Sequence, residues 1–427
     1  MKFFHAADLH LDSPLRGLSA YPEAPVERLR TATRDALQNL VGRAIEERVD
    51  FVVIAGDVYD GDWRDFNTGL FFVRQMGRLR QAGIPVYLLH GNHDAESEMT
   101  RSLQMPDNVH VFPSRKAATF RIDSLRVALH GRSFRVAATT ENLLPGYPDP
   151  VPGWLNIGVL HTALEGNAEH ASYAPCSVAE LDARGYQYWA LGHVHRQWIR
   201  HGASVIAYPG NLQGRHIRET GARGALLVTA EADEITGIEP IEVDVLRWHA
   251  LEIDAGGIED LAGAARAAGQ ALSTLLGQTE GDRPLAVRVS FTGASPAHGR
   301  LAGQEAQLRH EVISQAVALA PDRIWIEKVR VGTHPRHDER ARLGGDGADA
   351  LADLETLAKA ALQDEAFVEA LRAHAAELIE KLPHDVLKSD EGLAALRDDP
   401  LGQMRQRAGD AIPMLVARVG SAPGASD

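Results

Sequence analysis

Five short polar clusters interrupt apolar runs in the first half of the chain. They are Asp8-x-His10, Gly56-Asp57, Gly91-Asn92-His93-Asp94, His161 and Gly192-His193-Val194-His195. Asp8, His10, Asp57, Asn92, His161, His193 and His195 together offer two carboxylates, an amide oxygen and four imidazoles, with no thiolate. Oxygen and imidazole donors in this mixture suit Mn²⁺, Fe or Zn²⁺ better than Ca²⁺ or a soft metal. Seven donors exceed what one tetrahedral ion needs. With a carboxylate such as Asp57 bridging, they suit two ions about 3.5–4 Å apart, an arrangement that polarises a phosphoryl oxygen and holds a hydroxide in line for attack. Asp8 and His10 are expected on the same side of an extended segment, gripping one ion. His93, next to the donor Asn92, is the candidate general acid, with Asp94 holding its ring.

The elements between these clusters must bring them together. Lys2 to Ala6, Asp50 to Ala55 and Val86 to Leu89 read as strands, and the second is a continuous β-branched run of the kind covered on both faces. Val26 to Glu47 carries Leu29, Leu37, Leu40, Val41, Ala44 and Ile45 at helical spacing, and Phe66 to Gln81 is a second helical stretch. This βαβαβ order implies parallel strands with helices over them. Shorter strands follow: Thr119 to Ile122, Arg126 to His130, Ile157 to Leu160, Tyr188 to Leu191, Ser204 to Ala207 and Ala225 to Val228. They predict a second sheet packed on the first, a two-sheet α/β sandwich. Each polar cluster follows an apolar strand, and the carboxyl ends of strands in such folds form the ligand crevice. Gly56, Gly91 and Gly192 mark sharp strand exits where positive φ or close backbone approach is needed.

The prolines at 145, 148, 150 and 152 predict an irregular surface excursion over 137–153. After a boundary near Val245, the stretches Trp248 to Ile253, Leu261 to Leu276, Leu285 to Phe291, Gly303 to Ala320 and Arg323 to Val331 read as β-α-β-α-β, a small α+β domain. The expected division is thus 1–245, 246–335 and 336–427, the last a polar linker followed by helical patterns at Leu351 to Leu382 and Gly392 to Val419.

The 427 residues are 44% hydrophobic and 24% charged, which excludes a mainly disordered chain. No stretch approaches the ~20 apolar residues of a membrane span. A single cysteine, Cys176, rules out an internal disulfide and a cysteine zinc site. The sequence predicts a cytosolic protein. The net charge of −14 argues only weakly against nucleic acid: half of it lies from Arg336 onward, where 11 basic residues face 18 acidic ones. A local basic groove can still bind phosphate.

The clusters resemble the calcineurin-like metallophosphoesterase superfamily, with its pattern D-x-H…G-D…G-N-H-[DE]…H…G-H-x-H. Within it, Ala7-Asp8-Leu9-His10-Leu11-Asp12, Gly56-Asp57-Val58-Tyr59-Asp60, His90-Gly91-Asn92-His93-Asp94 and Gly192-His193-Val194-His195 are similar to the SbcD-type DNA repair exonucleases. So is Tyr208-Pro209-Gly210-Asn211-Leu212-Gln213-Gly214-Arg215-His216, and Leu11-Asp12-Ser13-Pro14 with Val245-Leu246-Arg247-Trp248 resembles the bacterial YhaO-like branch. The resemblance covers about residues 1–250. It implies that Asp8, His10, Asp57 and His195 hold one metal, Mn²⁺ by preference, and that Asp57, Asn92, His161 and His193 hold the other. It further implies that His93 is catalytic, that hydroxide held between the metals attacks a DNA backbone phosphate, and that residues 247–335 form a capping domain. The implied partners are DNA, an SbcC- or SMC-like coiled-coil ATPase bound by the C-terminal region, and a second copy of the chain.

Arg215 is the first candidate for a phosphate contact, since it belongs to the matched segment and offers a bidentate fork. His216, Arg16, Arg196 and Arg218 follow it. Tyr59, Trp63 and Phe66 either stack on a base or pack the start of a helix. Two other functions compete with a DNA nuclease: hydrolysis of a small phosphoester such as a cyclic nucleotide, and a DNA- or ATPase-binding scaffold of low intrinsic activity.

Overall fold

Strand β1 (Lys2–Ala6) alternates its side chains between two cores, and that alternation sets the layers of the fold. Phe4 and Ala6 face one apolar cluster, whereas Phe3 faces another. The computed structural model describes residues 1–15, 18, 26–60, 66–96, 103–164, 173–279, 281–334 and 346–380, with single positions beyond 400. They fall into two compact units: residues 1–249 with 281–287, and residues 250–280 with 288–427.

In the first unit the chain runs from β1 through α1 (Val26–Glu47), β2 (Phe51–Ala55), α2 (Phe66–Gln81), β3 (Val86–Leu89) and the short helix α3 (Asn92–Glu96) to β4 (Val109–Val111). It continues through β5 (Ala118–Ile122), β6 (Val127–Gly131), β7 (Leu155–His161), β8 (Tyr188–Gly192), β9 (Trp198–Arg200), β10 (Val205–Tyr208), β11 (Gly224–Glu231) and β12 (Glu234–Glu242). Two six-stranded sheets result, in the orders β12-β11-β1-β2-β3-β4 and β5-β6-β7-β8-β10-β9. Strands β1 to β4 are mutually parallel, as are β6, β7, β8 and β10, while β11 and β12 in the first sheet and β5 and β9 in the second run antiparallel to their neighbours.

The inner faces of both sheets share one core, in which Phe3, Phe51 and Val53 meet Leu129, Ile157 and Tyr188. Leu37, Leu40 and Val41 of α1 and Phe72 and Met76 of α2 cover the outer face of the first sheet. The outer face of the second sheet, with Trp189, Leu191 and Ile206, is covered by Phe134, Leu143, Leu144, Tyr147 and Leu181. The 137–153 segment is irregular and partly exposed, as expected, but it is more than a surface excursion because it buries Leu143, Leu144 and Tyr147. Pro145 lies within a single 3₁₀ turn at Leu144–Gly146 and the other three prolines follow it, and burying the segment's apolar side chains shields Trp189 from water.

Strands β4, β9 and β12 were not expected from sequence. Each lies at an outer edge of its sheet and is at most partly buried. An edge strand needs no continuous apolar run, so periodicity has nothing to detect.

The second unit contains most of a three-stranded sheet of β13 (Arg247–Asp254), β14 (Leu285–Ala294) and β15 (Ile324–His334), with a helix at Leu261–Gln278. The helix expected over Gly303 to Ala320 is Glu305–Leu319, and a short helix not expected from sequence, His298–Gly303, precedes it, separated where Gln304 leaves helical geometry. The expected run Leu351 to Leu382 is divided, into Asp346–Ala361 and Glu365–Glu380. Asp364 Oδ1 accepts from the amides of Ala366 and Phe367 and so starts a new helix. The linker expected at 336–347 and the pattern at Gly392 to Val419 lie almost wholly outside the described residues. Among the described residues no helix is long and apolar enough to cross a membrane.

Gly158 on β7 stands in register opposite Trp189 on β8, and a Cβ at Gly158 would come within 2.2 Å of the indole. Gly158→Ala is expected to destabilise the first unit by ~1–3 kcal/mol through overpacking. Gly42→Ala, in the interior of α1 with open space around its Cα, is expected to stabilise it by up to ~1 kcal/mol. Urea unfolding of the two variants checks both signs.

Candidate metal centre

The first donor pair does not lie on extended backbone. Asp8 and His10 have φ of 51° and 43°, and the amides of Asp8, His10 and Leu11 donate to Gly56, Asp57 and Val58 carbonyls at 3.0, 3.0 and 2.9 Å. The exit of β1 is thus folded against the exit of β2, which corrects the expectation of an extended grip. Asp57 and His193 are also left-handed, at φ 52° and 99°. Left-handed backbone costs a side-chain-bearing residue roughly 1–2 kcal/mol. Four such residues at one place mark a site whose geometry the surrounding fold enforces.

Of the three glycines expected at sharp exits, only Gly56 has positive φ, at 98°. The other two serve close approach. A Cβ at Gly91 would lie 2.2 Å from Asp57 Oδ1, and one at Gly192 would lie 2.0 Å from the Ala55 carbonyl oxygen.

These turns bring two groups of donors together, Asp8 with His10 and His195, and Asp57 with His161 and His193. Asn92 adjoins the second group, its Oδ1 3.0 Å from His161 Nε2. The Nε2 atoms of His10 and His195 face each other at 3.1 Å. Their far nitrogens face carboxylates: His195 Nδ1 lies 2.8 Å from Glu219 Oε1, and His10 Nδ1 3.4 Å from Asp60 Oδ1. When each Nδ1 carries the proton, two lone pairs point at one another, an arrangement that a shared cation relieves. A carboxylate behind a metal-binding imidazole fixes its tautomer and strengthens it as a ligand. The donor set and its outer partners therefore fit divalent metal.

Electrostatics agree. Burial, reinforced by the Asp57 charge and partly offset by His161, pushes the Asp8 carboxyl up to about 8. Burial opposes a charge on His161, yet Asp57, with Oδ2 3.3 Å away, holds the imidazolium up to about 9. His161 meets the Ala55 carbonyl at Nδ1 (2.9 Å) and Asn92 Oδ1 at Nε2, both acceptors, so in the metal-free chain it carries the positive charge of the second group. Burial and the Arg215 guanidinium push His10 down to about 3. Against their own burial, Glu219 is held well below the usual carboxylate range by His195 and Arg215, and Asp60 by His10 and Arg215.

Asp94 does not hold His93. Its oxygens accept from the amides of Gly91, Val58 and Tyr59 at 3.1, 3.2 and 3.0 Å, so it ties the β3 exit to the β2 exit. Asp60 takes the place expected of it, with Oδ1 3.7 Å from His93 Nδ1. The sequence contained a signal for Asp60 in Gly-Asp-Val-Tyr-Asp. For Glu219 it contained none, because that residue returns to the site through an irregular loop.

Arg215 reaches the site. Its Nη1 lies 3.4 Å from Ser13 Oγ and 3.6 Å from Asp60 Oδ1, and its Nη2 3.1 Å from His195 Nδ1. His216 Nε2 is 3.7 Å from Glu219 Oε1. Arg196 and Arg218 are exposed. Tyr59 is buried edge-on to Phe72 and so packs rather than stacks on a base, whereas Phe66 is 46% exposed. Arg16 and Trp63 lie outside the described residues.

Paired oxygen and imidazole donor groups at the strand ends of a two-sheet α/β sandwich define a metal-dependent phosphoester hydrolase. Residues 1–197 match the calcineurin-like phosphoesterase family, and residues 248–334 match the middle domain of metallophosphoesterase YhaO. The chain is 35% identical over 300 residues to the uncharacterized metallophosphoesterase YhaO of Bacillus subtilis, an alignment covering 69% of this chain and 72% of that protein. It is 27% identical over 276 residues to the DNA double-strand break repair protein Mre11 of Methanopyrus kandleri, covering 57% of each. With the protein of the same name from Aeropyrum pernix it shares 29% over 274 residues, covering 60% of this chain and 64% of that one. The chain thus spans less than two thirds of both Mre11 proteins. It belongs to the YhaO family of calcineurin-like metallophosphoesterases.

Metal must displace protons from this site, because Asp8 and His161 ligate only when deprotonated. Both are protonated at pH 7 in the metal-free chain, so binding there is expected to release close to two protons. Release should diminish and affinity rise as pH passes 8 and then 9, as read by calorimetry in buffers of different ionisation heat. Both folded values lie above the unfolded ones, so the metal-free protein should lose stability between pH 7 and 9. Metal should abolish that loss in thermal unfolding.

Proposed function

We propose that the protein is a two-metal, Mn²⁺-preferring phosphodiesterase that cleaves DNA. The observation that carries this reading is the segment Tyr208 to His216. Asn211 and Gln213 are buried within it, and Arg215 is delivered beside both His195 and Asp60. Gln213 anchors the segment by accepting from the amides of Val245 and Leu246 at 2.9 and 3.3 Å. A guanidinium fixed at the rim of a metal centre is suited to a phosphodiester oxygen. The likeness to the two Mre11 proteins supports DNA as the substrate.

In this reading Asp8, His10, Asp57 and His195 hold one ion and Asp57, Asn92, His161 and His193 the other. The pair supplies Lewis acidity and a water ionised at neutral pH. Around it, the chain's own residues orient and transfer protons. His93 is half-exposed, its amide tied to Asp57 Oδ1 at 3.0 Å and its ring edge-on to His10. Its ring is free to protonate the leaving oxygen of the strand, with Asp60 orienting Nδ1. Asp60 also faces His10 and Arg215 and so sets three groups at once.

The expected partner is a coiled-coil ATPase docking on the helices after residue 345, where Leu357 and Phe367 are exposed. Deleting the chain beyond 345 should leave small-diester hydrolysis unchanged and abolish co-purification with that ATPase. Loss of diesterase activity would instead place these helices within the catalytic fold.

The reading is tested on end-labelled single- and double-stranded DNA with Mn²⁺. His93→Ala should lower cleavage by ~10²–10⁴-fold at unchanged metal content, the range for a lost general acid. Asp60→Asn should lower it less, with an altered pH profile. Turnover of bis-p-nitrophenyl phosphate without any DNA cleavage would favour a small-phosphoester hydrolase.

A further inference from the structure

The parallel strand order extends the donor-bearing edge beyond the metals. Donors leave the carboxyl ends of β1, β2 and β3 in one sheet and of β7 and β8 in the other. The next strands outward are β4 and β6, parallel to their neighbours. Their exits, Phe112 to Lys116 and Arg132 to Leu143, therefore open on the same crevice.

The two exits are joined to the site by direct hydrogen bonds. Ser133 Oγ donates to the Phe112 carbonyl at 2.6 Å and accepts from the His90 amide at 2.9 Å, and the Phe134 amide donates to the His90 carbonyl at 2.9 Å. The Phe134 ring packs edge-on against His161, with centroids 5.5 Å apart. Two adjoining cavities lie along these exits. One of about 310 Å³ is lined by Arg132, Arg135, Thr139 and Thr140, and one of about 480 Å³ by His90, Asp94 and Ser114. Phe134, Arg135 and Val136 line both.

Charge here runs against the chain's net of −14. Arg135 is exposed, and Arg115 and Lys116 are exposed just beyond Ser114. Among the described residues none of these three has an ion-pair partner. Arg132 faces Glu141 at 3.2 Å. The other carboxyl present is Asp94, whose oxygens are taken up by backbone amides. Arg132 and Arg135 lining the cavities and Arg115 and Lys116 just past Ser114, with hydroxyls and an apolar wall of Phe134 and Val136, match repeating phosphates joined by sugars and bases better than one small anion.

Building on the nuclease reading, we propose that the Arg132–Leu143 and Pro113–Lys116 segments form a subsite for a single polynucleotide strand flanking the scissile phosphate. Arg115, Lys116 and Arg135 bind its backbone phosphates.

The test uses the full chain with Arg115, Lys116 and Arg135 all changed to Ala, beside the single charge reversal Arg135→Glu. Hydrolysis of bis-p-nitrophenyl phosphate should stay within about twofold of the unaltered protein, since these residues touch no catalytic group. For a labelled single-stranded oligonucleotide, KM should rise about tenfold or more. The slope of log affinity against log salt should fall by about 2, near 0.7 for each phosphate that is no longer neutralised. Unaltered KM and slope in both variants, with the unaltered protein cleaving the oligonucleotide, would overturn the subsite alone. An unaltered protein that turns over the small diester but neither binds nor cuts oligonucleotides would overturn the nuclease reading and the subsite with it.

Discussion

Asp57 from the first sheet and His161 from the second meet 3.3 Å apart, with side chains 2% and 0% exposed. A charge buried so deeply persists only when it is paired or bound to metal. In the metal-free chain each supplies the other's counter-charge. Asp57 lies at the exit of β2 and His161 at the end of β7, so their pairing also fixes where two sheets must meet at their carboxyl edges. The remaining donors are arranged around that pair: Asp8 against the His193 amide, His193 beside His161, and His10 opposite His195.

Around this pair the fold places strain and its compensation together. Left-handed backbone at Asp8, His10, Asp57 and His193 is unfavourable locally, but the same turns let three backbone amides from the β1 exit reach carbonyls of the β2 exit. Asp94 accepts three further amides from the β2 and β3 exits. Backbone groups that would otherwise be buried without partners are thereby satisfied. Outer carboxylates do the same for side chains. Glu219 serves His195 and accepts from Asn211 Nδ2 at 2.9 Å and the Arg215 amide at 2.7 Å, which binds the Tyr208–His216 segment to the metal centre.

The central strands and helices were legible because each buries a continuous or periodic apolar run. Lys2–Ala6, Val26–Glu47, Phe66–Gln81 and Val86–Leu89 lie where those runs end. The donor positions were legible for the same reason, since polar residues after buried parallel strands have one edge to occupy. What lay hidden was set by tertiary geometry. That His93 faces Asp60 rather than its chain neighbour Asp94 depends on backbone turns with no signature in residue type. Glu219 and the burial of Leu143 and Tyr147 likewise depend on where irregular segments return, and a proline-rich stretch gives no sign of what it covers.

His10 and His195 are 185 positions apart in the chain yet touch at the centre of the site. Bringing such distant positions together carries the loop-closure entropy of both sheets, and pairings of this range form late when a chain folds. Neither donor group can assemble on a nascent chain that lacks β8, because both require histidines at its exit. The ion-binding centre therefore waits for the chain beyond β8, while β9 to β12 of the first unit are still to follow. Full metal uptake therefore reports that β8 has joined β7 and that the β2 and β7 exits have met.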